Sequence, residues 1–388
     1  MTDDQLLSFR SRYPILERTK YLVSHSLGAV PRSTAGAMAE FYELWARRGV
    51  RAWHEGWWEM SSEVGDLVAP FLGAAPGSVL MLPNVTTAEA VIISAFDYSG
   101  ARNRIVMVEG EFPSVRYVHH GLAGRLGAEI VEIEARAGGI GFDLERLLAA
   151  IDERTALVPI SHVLFESSFL IDVTAIAKRC RETGATMVLD VFQSAGIVPI
   201  DLQAWDVPIA VGGVLKWLCG GPGGGYLHVS EPLRKKLRPS LTGWMAHESP
   251  FDFAPPPIQY RNDIMRFGLG TPPIPALYAA REGLRNVSEA AAGGMGAIRA
   301  KSLRQTRRIL EEATRRGFEI GTSLEDESRG GTVSIRLPRA EEVASELNAR
   351  DIVCDYRPRS GVRLSPHFYT ADTEIDAAFE AIDEILGL

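Results

Sequence analysis

Short apolar runs alternate with amphipathic stretches through the first two-thirds of the chain. Five of the runs are predicted to be β-strands, at 104–108, 129–133, 156–160, 186–190 and 209–215. The stretches between them predict helices at 115–126, 144–151 and 173–182. Strands that alternate with helices form a mostly parallel sheet with helices on both faces. The pattern therefore predicts an α/β fold with a large, doubly wound sheet domain.

The pattern changes in the last hundred residues. An Arg-rich helix with an apolar stripe stops at Gly317, and the predicted elements after it are a strand at 332–336, a helix at 341–349, a strand at 351–354 and a helix from 372. This order predicts a smaller C-terminal α+β domain. We therefore divide the chain into an N-terminal arm (1–20) that packs on the small domain, a large domain (21–285) and the small domain (286–388). Residues 250–257, with four prolines, are expected to be irregular.

Composition and charge narrow the class of protein. The 388 residues are 46% hydrophobic and 23% charged, which is typical of a soluble globular protein. A net charge of −8 gives no basic surface for nucleic acid, and no apolar run reaches the roughly 18 residues of a membrane span. The acidic start lacks the layout of a signal peptide. The three cysteines are far apart and lack metal-ligand spacing, so we expect a cytoplasmic protein without a structural metal.

Two reactive side chains follow neighbouring predicted strands. Asp190 ends the strand 186–190, and Lys216 directly follows the strand 209–215, just before the glycine-rich loop 220–225. Open α/β sheets bind ligands at the carboxyl ends of their strands. Pyridoxal 5′-phosphate (PLP) needs such a pair, because a lysine carries the cofactor and a carboxylate keeps its pyridine nitrogen protonated. The alternative to a PLP site is that Asp190 and Lys216 are ordinary solvated side chains, which strands often have at their ends. The glycine loop lacks the GxGxxG pattern before a helix, which disfavours a dinucleotide site.

Several short motifs follow one another along nearly the whole chain. They are Ser26-Leu27-Gly28, Phe112-Pro113-Ser114, Asp190 with Ala195-Gly196, Lys216 before its glycine loop, Gly243-Trp244 with His247-Glu248, Pro272-Pro273, and Val353-Cys354-Asp355 before Gly361-Val362-Arg363. In their order and spacing the chain resembles fold-type-I PLP enzymes of the class V aminotransferase group, and within that group it most resembles kynureninase. No single motif is specific, so the resemblance depends on the whole set.

The resemblance implies a role for each matching residue. Lys216 would hold PLP covalently and move protons at the substrate Cα, and Asp190 would pair with the ring nitrogen. The implied cofactor contacts are Val85, Thr86, Phe112, Asp190, Gln193, Lys216, Trp244 and Thr271. The implied substrate contacts are Arg363, which would bind the α-carboxylate of an amino acid, with Ser26 and His54 nearby. The plain alternatives are a core position for Phe112, a helix cap for Thr86 and a surface position for Arg363.

The resemblance also implies a homodimer, in which Thr271 serves the phosphate of the neighbouring subunit. Three departures from kynureninase bear on the substrate: Leu215 replaces a tyrosine, Val115 replaces an aspartate, and Gly270-Thr271 replaces a Ser-Asn pair. A Gly-Thr pair at that point is what desulfurases and C–S lyases have. Cysteine desulfurase itself fits poorly, because Cys354 and Cys219 are both predicted to be buried rather than reactive.

The sequence leaves several functions open. We favour a PLP-dependent enzyme that cleaves a bond at Cβ of an amino acid, as a C–S β-lyase acting on an S-substituted cysteine. The alternatives are a kynureninase-type hydrolase, a class V aminotransferase and a catalytically silent binding protein with the same fold. The last is disfavoured because Asp190, Lys216 and Arg363 are all present.

Overall fold

The computed structural model of the chain describes residues 2–136 and 138–388. The strands are β1 (Lys20–Tyr21), β2 (Val79–Leu82), β3 (Arg104–Val108), β4 (Glu129–Ile133), β5 (Thr155–Ser161), β6 (Thr186–Asp190), β7 (Ile209–Gly213), β8 (Gly225–Val229), β9 (Glu319–Ile320), β10 (Val333–Arg336), β11 (Ile352–Val353), β12 (Asp355–Arg357) and β13 (Gly361–Leu364). The helices are α1 (Asp3–Leu7), α2 (Ser33–Arg48), α3 (Met60–Val68), α4 (Val85–Ile93), α5 (Pro113–Leu126), α6 (Leu144–Ala150), α7 (Val173–Thr183), α8 (Leu202–Trp205), α9 (Glu231–Arg234), α10 (Ile274–Ala290), α11 (Gly296–Arg315), α12 (Ala340–Ala349) and α13 (Asp372–Leu386).

A seven-stranded sheet forms the centre of the large domain, in the order β2-β8-β7-β6-β5-β3-β4. The pairings from β4 through β7 are parallel, and β8 runs antiparallel to both of its neighbours. Strands β5, β7 and β8 are buried along their whole length, as expected where helices cover both faces of a sheet. The predicted large, mostly parallel sheet is confirmed.

In the large sheet the structure corrects the predicted strands in two places. Strand β7 ends at Gly213, so Lys216 lies three residues beyond the strand rather than directly after it. Strands β2 and β8 were missed: β2 is a four-residue apolar run, and β8 begins inside the glycine-rich loop. Glycine is rare in strands, so the loop composition hid the start of β8.

A second, antiparallel sheet in the order β12-β13-β10-β9 lies in the C-terminal part of the chain. Apolar residues of α11, α12 and α13 share one buried cluster with this sheet, which confirms the smaller α+β unit. The predicted strand 351–354 divides: β11 pairs with β1, and β12 joins the sheet. This division places Asp355 directly opposite Arg363 on β13.

The N-terminal segment contacts the C-terminal part of the chain. The ring of Tyr13 lies 4.8 Å from that of Tyr369 and 6.0 Å from that of Phe368, and Arg10 pairs with Glu374. Strand β1 then carries the chain from this region toward the large sheet. The boundaries 1–20, 21–285 and 286–388 remain predictions.

Two further segments are as their composition indicates. The proline-rich stretch 250–257 is irregular apart from a 3-10 turn at Pro250–Asp252. Helix α11 is amphipathic, with Ile298, Ile309 and Leu310 buried on one side and arginines on the other. No helix in the described ranges is long and apolar enough to cross a membrane.

Candidate active site

Lys216 lies in a tight loop between β7 and the glycine-rich segment. The N–H of Val214 donates to the carbonyl of Gly224 at 2.9 Å, and the N–H of Gly220 donates back to Val214 at 2.7 Å. A segment from the start of the chain closes this loop, because the N–H of Gly28 donates to the carbonyl of Leu215 at 2.8 Å. A Cβ on Gly28 would lie 2.0 Å from the Lys216 carbonyl oxygen, so only glycine fits this close approach.

Asp190 is at the carboxyl end of β6, directly opposite Ser161 of β5. Its side chain is buried, and the N–H of Phe192 donates to its Oδ1 at 2.8 Å. Burial raises the pKa of this carboxyl above its ordinary range; the charge of Glu89 adds to the increase, and the Phe192 N–H opposes it. A cation beside Asp190 would oppose this effect of burial and favour the ionised carboxylate.

The amine of Lys216 lies among aromatic rings. Its Nζ is 4.5 Å from the ring centre of Phe192 and 5.7 Å from that of Phe112. Burial lowers the pKa of Lys216 to about 8, although Asp190 raises it, and Arg363 lowers it further. A lysine with a lowered pKa is partly neutral near pH 7, as a nucleophile or a base requires.

The start of helix α4 provides a site for an anion. The side chain of Asn84 caps the helix by accepting the Thr87 N–H at 2.9 Å. The N–H groups of Val85 and Thr86, in the first turn, lack intrahelical acceptors, and both residues line the cavity described next. A Cβ on Gly225 would lie 2.5 Å from the backbone of Asn84, so glycine is required where β8 passes the helix start. A phosphate fits here because the free N–H groups and the helix dipole both favour negative charge.

These features surround one cavity of about 240 Å³. Its walls are formed by Pro83, Asn84, Val85, Thr86, Phe112, Ser114, Ser161, Val163, Phe165, Asp190, Phe192, Gln193, Leu215, Lys216, Gly223, Gly224 and Gly225. The groups match the parts of PLP: an amine for its aldehyde, a buried carboxylate for its ring nitrogen, aromatic rings for its faces and a helix N-terminus for its phosphate. The residues present therefore fit this cofactor.

The structure brings six of the predicted site residues together on the cavity wall. They are Val85, Thr86, Phe112, Asp190, Gln193 and Lys216. Phe112 is 39% exposed, so the alternative of a core phenylalanine is wrong. Thr86 is not the cap of α4 either, because Asn84 occupies that position.

The other predicted contacts lie outside this cavity. Trp244 is 40% exposed and packs with Trp58, Phe251 and Phe253 in an aromatic cluster, and His54 is exposed at 6.4 Å from Phe251. Thr271 is exposed beside a separate small cavity that shares only Pro83 with the larger one. Ser26 is half-buried and is likewise absent from the cavity wall. Within a single chain these four residues do not contact the site.

Arg363 is buried, which rules out the surface position given as its alternative. Its Nε and Nη2 donate to the two oxygens of Asp355 at 2.8 and 2.6 Å, and its Nη1 donates to the carbonyl of Phe165 at 2.8 Å. Phe165 lines the cavity and Arg363 does not, so the guanidinium is one hydrogen bond removed from the cavity wall. These three bonds leave two of the five guanidinium N–H groups for a ligand.

Two buried glutamates near Asp190, each hydrogen-bonded to another side chain, were not predicted from the sequence. Glu111 accepts hydrogen bonds from the N–H and the hydroxyl of Ser161, at 2.9 and 2.5 Å, and burial raises its pKa to about 8. Glu89 pairs with His119 at 3.0 Å, and both side chains are buried. Glu89 lies in the largely apolar and buried helix α4, and Glu111 lies two residues before the start of α5. The only available signal was the position of Glu111 directly before Phe112.

In the described part of the chain, neither the cysteines nor the candidate metal ligands form a reactive-thiol site or a metal site. Cys180, Cys219 and Cys354 are buried, as predicted for the last two, and burial raises the pKa of each to about 12. Groups of three or more His, Cys, Asp or Glu side chains that could hold a metal ion are absent from the part of the chain that the structure describes.

The lowered pKa of Lys216 predicts how PLP attaches to the apoprotein. The neutral amine reacts, so the rate should rise about tenfold per pH unit below pH 8 and level off above it, since the pKa is about 8 rather than 10.5. The rate can be followed by absorbance from pH 6.5 to 10. Nα-acetyl-lysine under the same conditions is the control for the titration of PLP itself. A protein rate that climbs in parallel with acetyl-lysine up to pH 10 would contradict the lowered pKa.

Comparisons with known proteins identify the family to which the chain belongs. A model of the aminotransferase class-V family matches residues 20–376, and the chain belongs to that family of PLP-dependent enzymes. It is 30% identical over 381 residues to the uncharacterized aminotransferase YcbU of Bacillus subtilis, with 97% of this chain and 96% of the relative covered. It is also 30% identical over 398 residues to the kynureninase of Pseudomonas fluorescens, with 99% and 93% covered.

Solved structures show the same architecture. The cystine C–S lyase C-DES, in complex with its reaction product cysteine persulfide, superimposes with a TM-score of 0.84 at 18% identity, covering 95% of this chain and 98% of that one. At this identity the likeness establishes the fold alone. The chain has the fold of type I PLP enzymes, as its motifs predicted.

Proposed function

We propose that the protein is a C–S β-lyase, which cleaves the bond between Cβ and sulfur in an S-substituted cysteine. The chemistry of the cavity wall carries this proposal. Around Lys216, the side chains of Val163, Phe165, Phe192 and Leu215 supply apolar surface. Among the described residues, none that lines this cavity is a cysteine or a histidine. Elimination of a sulfur leaving group requires neither an attacking thiolate nor an activated water, so it suits such a wall.

Lys216 and Asp190 perform the proton chemistry in this proposal. When bound, PLP draws electrons from the bonds at the substrate Cα. The Lys216 amine takes the Cα proton, and its lowered pKa supplies the neutral form that a base needs. Asp190 would hold the ring nitrogen of the cofactor in its protonated form. The sulfur substituent then leaves as a thiol, and the three-carbon remainder hydrolyses in water to pyruvate and ammonia.

Arg363 orients the substrate through its α-carboxylate. Arg363 does not itself line the cavity, but its guanidinium donates to the carbonyl of Phe165, which does. In this proposal its two remaining N–H groups bind the substrate carboxylate at that border of the cavity. Gln193, on the same cavity wall, adds a polar amide near Asp190. The substrate is thus held at its amino and carboxylate groups, and its sulfur substituent faces the apolar wall.

Cysteine desulfurase chemistry is disfavoured by the thiols themselves. A desulfurase requires a reactive thiolate within reach of the substrate sulfur, which calls for a lowered cysteine pKa. In this chain burial raises the pKa of Cys354 and Cys219, and neither residue lines the cavity.

A kynureninase-type hydrolase is the alternative, favoured by the 30% identity to kynureninases over nearly the full length. The edge-to-face rings of Phe112 and Phe165, 5.2 Å apart, could also receive an aromatic substrate. Against it, Leu215 lines the cavity where kynureninases have a tyrosine, and Val115 is buried where they have an aspartate. A site that has lost polar partners discriminates against a substrate that needs them.

A substrate panel separates these activities. We expect S-phenyl- or S-benzyl-L-cysteine to yield pyruvate with a kcat/KM at least about 10-fold above that for anthranilate release from kynurenine or hydroxykynurenine. Efficient anthranilate release would instead assign the hydrolase. Activity only when a 2-oxo acid is added would assign the aminotransferase.

We also propose that the active form is a homodimer. Trp244, Phe251 and Phe253 present exposed aromatic surface on the same chain segment as Thr271, and exposed apolar patches of this kind mark protein interfaces. Thr271 would then contact the phosphate of the neighbouring subunit. The protein should sediment as a dimer or a multiple of one, and Thr271→Ala should weaken PLP retention without changing sedimentation. A fully active monomer would remove Thr271, Trp244 and His54 from the site.

A further inference from the structure

The carboxylate that holds Arg363 is itself held by a buried histidine. Asp355 accepts two hydrogen bonds from Arg363, and His25 Nε2 lies 3.2 Å from its Oδ1. Both Arg363 and His25 are almost completely buried. Although burial alone raises it, the pKa of Asp355 is held far below its ordinary range by the hydrogen bonds from His25 and Arg363. Asp355 is therefore an ionised carboxylate shared between the two side chains.

The second nitrogen of His25 has its own partner. Nδ1 lies 2.5 Å from the hydroxyl of Ser365, and that hydroxyl lies 2.9 Å from the hydroxyl of Thr332. Burial lowers the pKa of His25 to about 4, so its ring is neutral at physiological pH. A neutral imidazole has one N–H, and Asp355 can only accept, so the proton is on Nε2. The contacts at Nε2 and at Nδ1 together fix the ring orientation of His25.

We propose that His25 and Asp355 are positioning residues, which lock the guanidinium of Arg363 so that the site selects ligands carrying an α-carboxylate. An arginine has a long side chain with several rotatable bonds, and holding it in one orientation reduces the entropy lost on binding. Asp355 holds the Nε and Nη2 side of the Arg363 guanidinium, and the carbonyl of Phe165 holds its Nη1. This inference depends on the proposed role of Arg363 as the carboxylate-binding residue.

The N-terminal segment 25–28, which contains His25, also contacts other residues of the site. The carbonyl of His25 accepts a hydrogen bond from Nε2 of Gln193 at 3.3 Å, and Gln193 lines the cavity beside Asp190. Three residues further on, Gly28 closes the Lys216 loop. The segment from His25 to Gly28 therefore contacts Gln193 and the Lys216 loop as well as Asp355, and so connects Arg363 to the cofactor end of the cavity.

A matched pair of substitutions at His25 tests the proposal. In His25→Gln the side-chain amide can reach the position of Nε2 and still donate to Asp355. In His25→Asn the shorter amide reaches only the position of Nδ1, near Ser365, so the donor to Asp355 is lost. A structural role in filling the buried site would be disturbed in both variants, whereas the positioning role is disturbed mainly in His25→Asn.

The probes are L-alanine and L-alaninamide, titrated into the PLP-loaded protein and followed by the change in cofactor absorption. We expect His25→Asn to weaken L-alanine binding by about 10-fold, the scale of a lost hydrogen bond to a charged group, with little change for L-alaninamide. His25→Gln should recover most of the loss. Arg363→Ala should weaken the binding of L-alanine at least as much and leave the binding of L-alaninamide nearly unchanged. Equal losses for both probes, or equal losses in the two His25 variants, would overturn the positioning role.

A variant of Asp355 keeps the test decisive if a His25 variant fails to fold. Asp355→Asn retains a similar shape but only one acceptor oxygen, so the two-pronged contact with Arg363 is lost. Asp355→Asn should therefore weaken the binding of L-alanine by about 10-fold or more. Unchanged or tighter binding of L-alanine would overturn the proposal. If L-alanine binds the wild-type protein no better than L-alaninamide, the carboxylate role of Arg363 fails first, which distinguishes that failure from this one.

Discussion

Replacing Lys216 with alanine should abolish turnover. The amine is placed both to carry PLP and to move the Cα proton, and general acid–base assistance alone contributes about 10²- to 10⁴-fold to a rate. We therefore expect activity to fall by at least that factor, together with loss of the absorption of covalently held cofactor. The measurement is turnover by purified wild-type and variant protein, each reconstituted with PLP.

The covalent attachment can be located directly. Borohydride reduction of the wild-type protein should fix a pyridoxyl group on the peptide that contains Lys216, as read by mass spectrometry. Lys236 is exposed and does not line the cavity, so Lys236→Ala is the matched control and should keep both the label and the activity. A label on another lysine, or full activity in Lys216→Ala, would refute the assignment.

Replacing Asp190 with asparagine should preserve the site but remove most of its catalytic power. The amide has nearly the same shape and can still accept the Phe192 N–H, so we expect PLP to remain bound. It cannot stabilise a proton on the ring nitrogen as a carboxylate does. Loss of one preorganised electrostatic group of this kind costs about 10²- to 10³-fold in kcat.

The control for this variant is Asp206→Asn, since Asp206 is exposed and its left-handed backbone conformation is one that asparagine tolerates. PLP content should be measured beside kcat for both variants. If Asp190→Asn loses its cofactor as readily as its activity, Asp190 serves mainly to bind PLP; if it keeps wild-type kcat, the carboxylate is not the partner of the ring nitrogen.

The apolar pattern of the sequence was sufficient to predict the site residues that lie at or just beyond the ends of strands. Asp190 was predicted because the short apolar run of β6 stops at a carboxylate, and the carboxyl ends of parallel strands meet at one edge. Lys216 was predicted for the same reason, although β7 stops at Gly213 and a loop supplies the last three residues. That loop depends on Gly28, which is 188 residues away along the chain and could not be paired with Lys216 from pattern alone.

The partners of Arg363 show what the sequence could not give. Asp355 faces Arg363 across the β12–β13 pair, a contact that follows only once the division between β11 and β12 is known. His25 comes from the opposite end of the chain. Its role depends on two hydrogen bonds that no periodicity encodes. Trp244, His54 and Thr271 were predicted from motifs alone, and within a single chain they are exposed and lie outside the cavity wall.

The most direct test of C–S β-lyase activity is the product balance from S-phenyl-L-cysteine. The purified, PLP-loaded protein is incubated with this substrate without any 2-oxo acid, and thiophenol, pyruvate and ammonia are measured together. The proposed function predicts the three products in equal amounts, with no alanine. Alanine in place of pyruvate, or release that depends on an added 2-oxo acid, would contradict it.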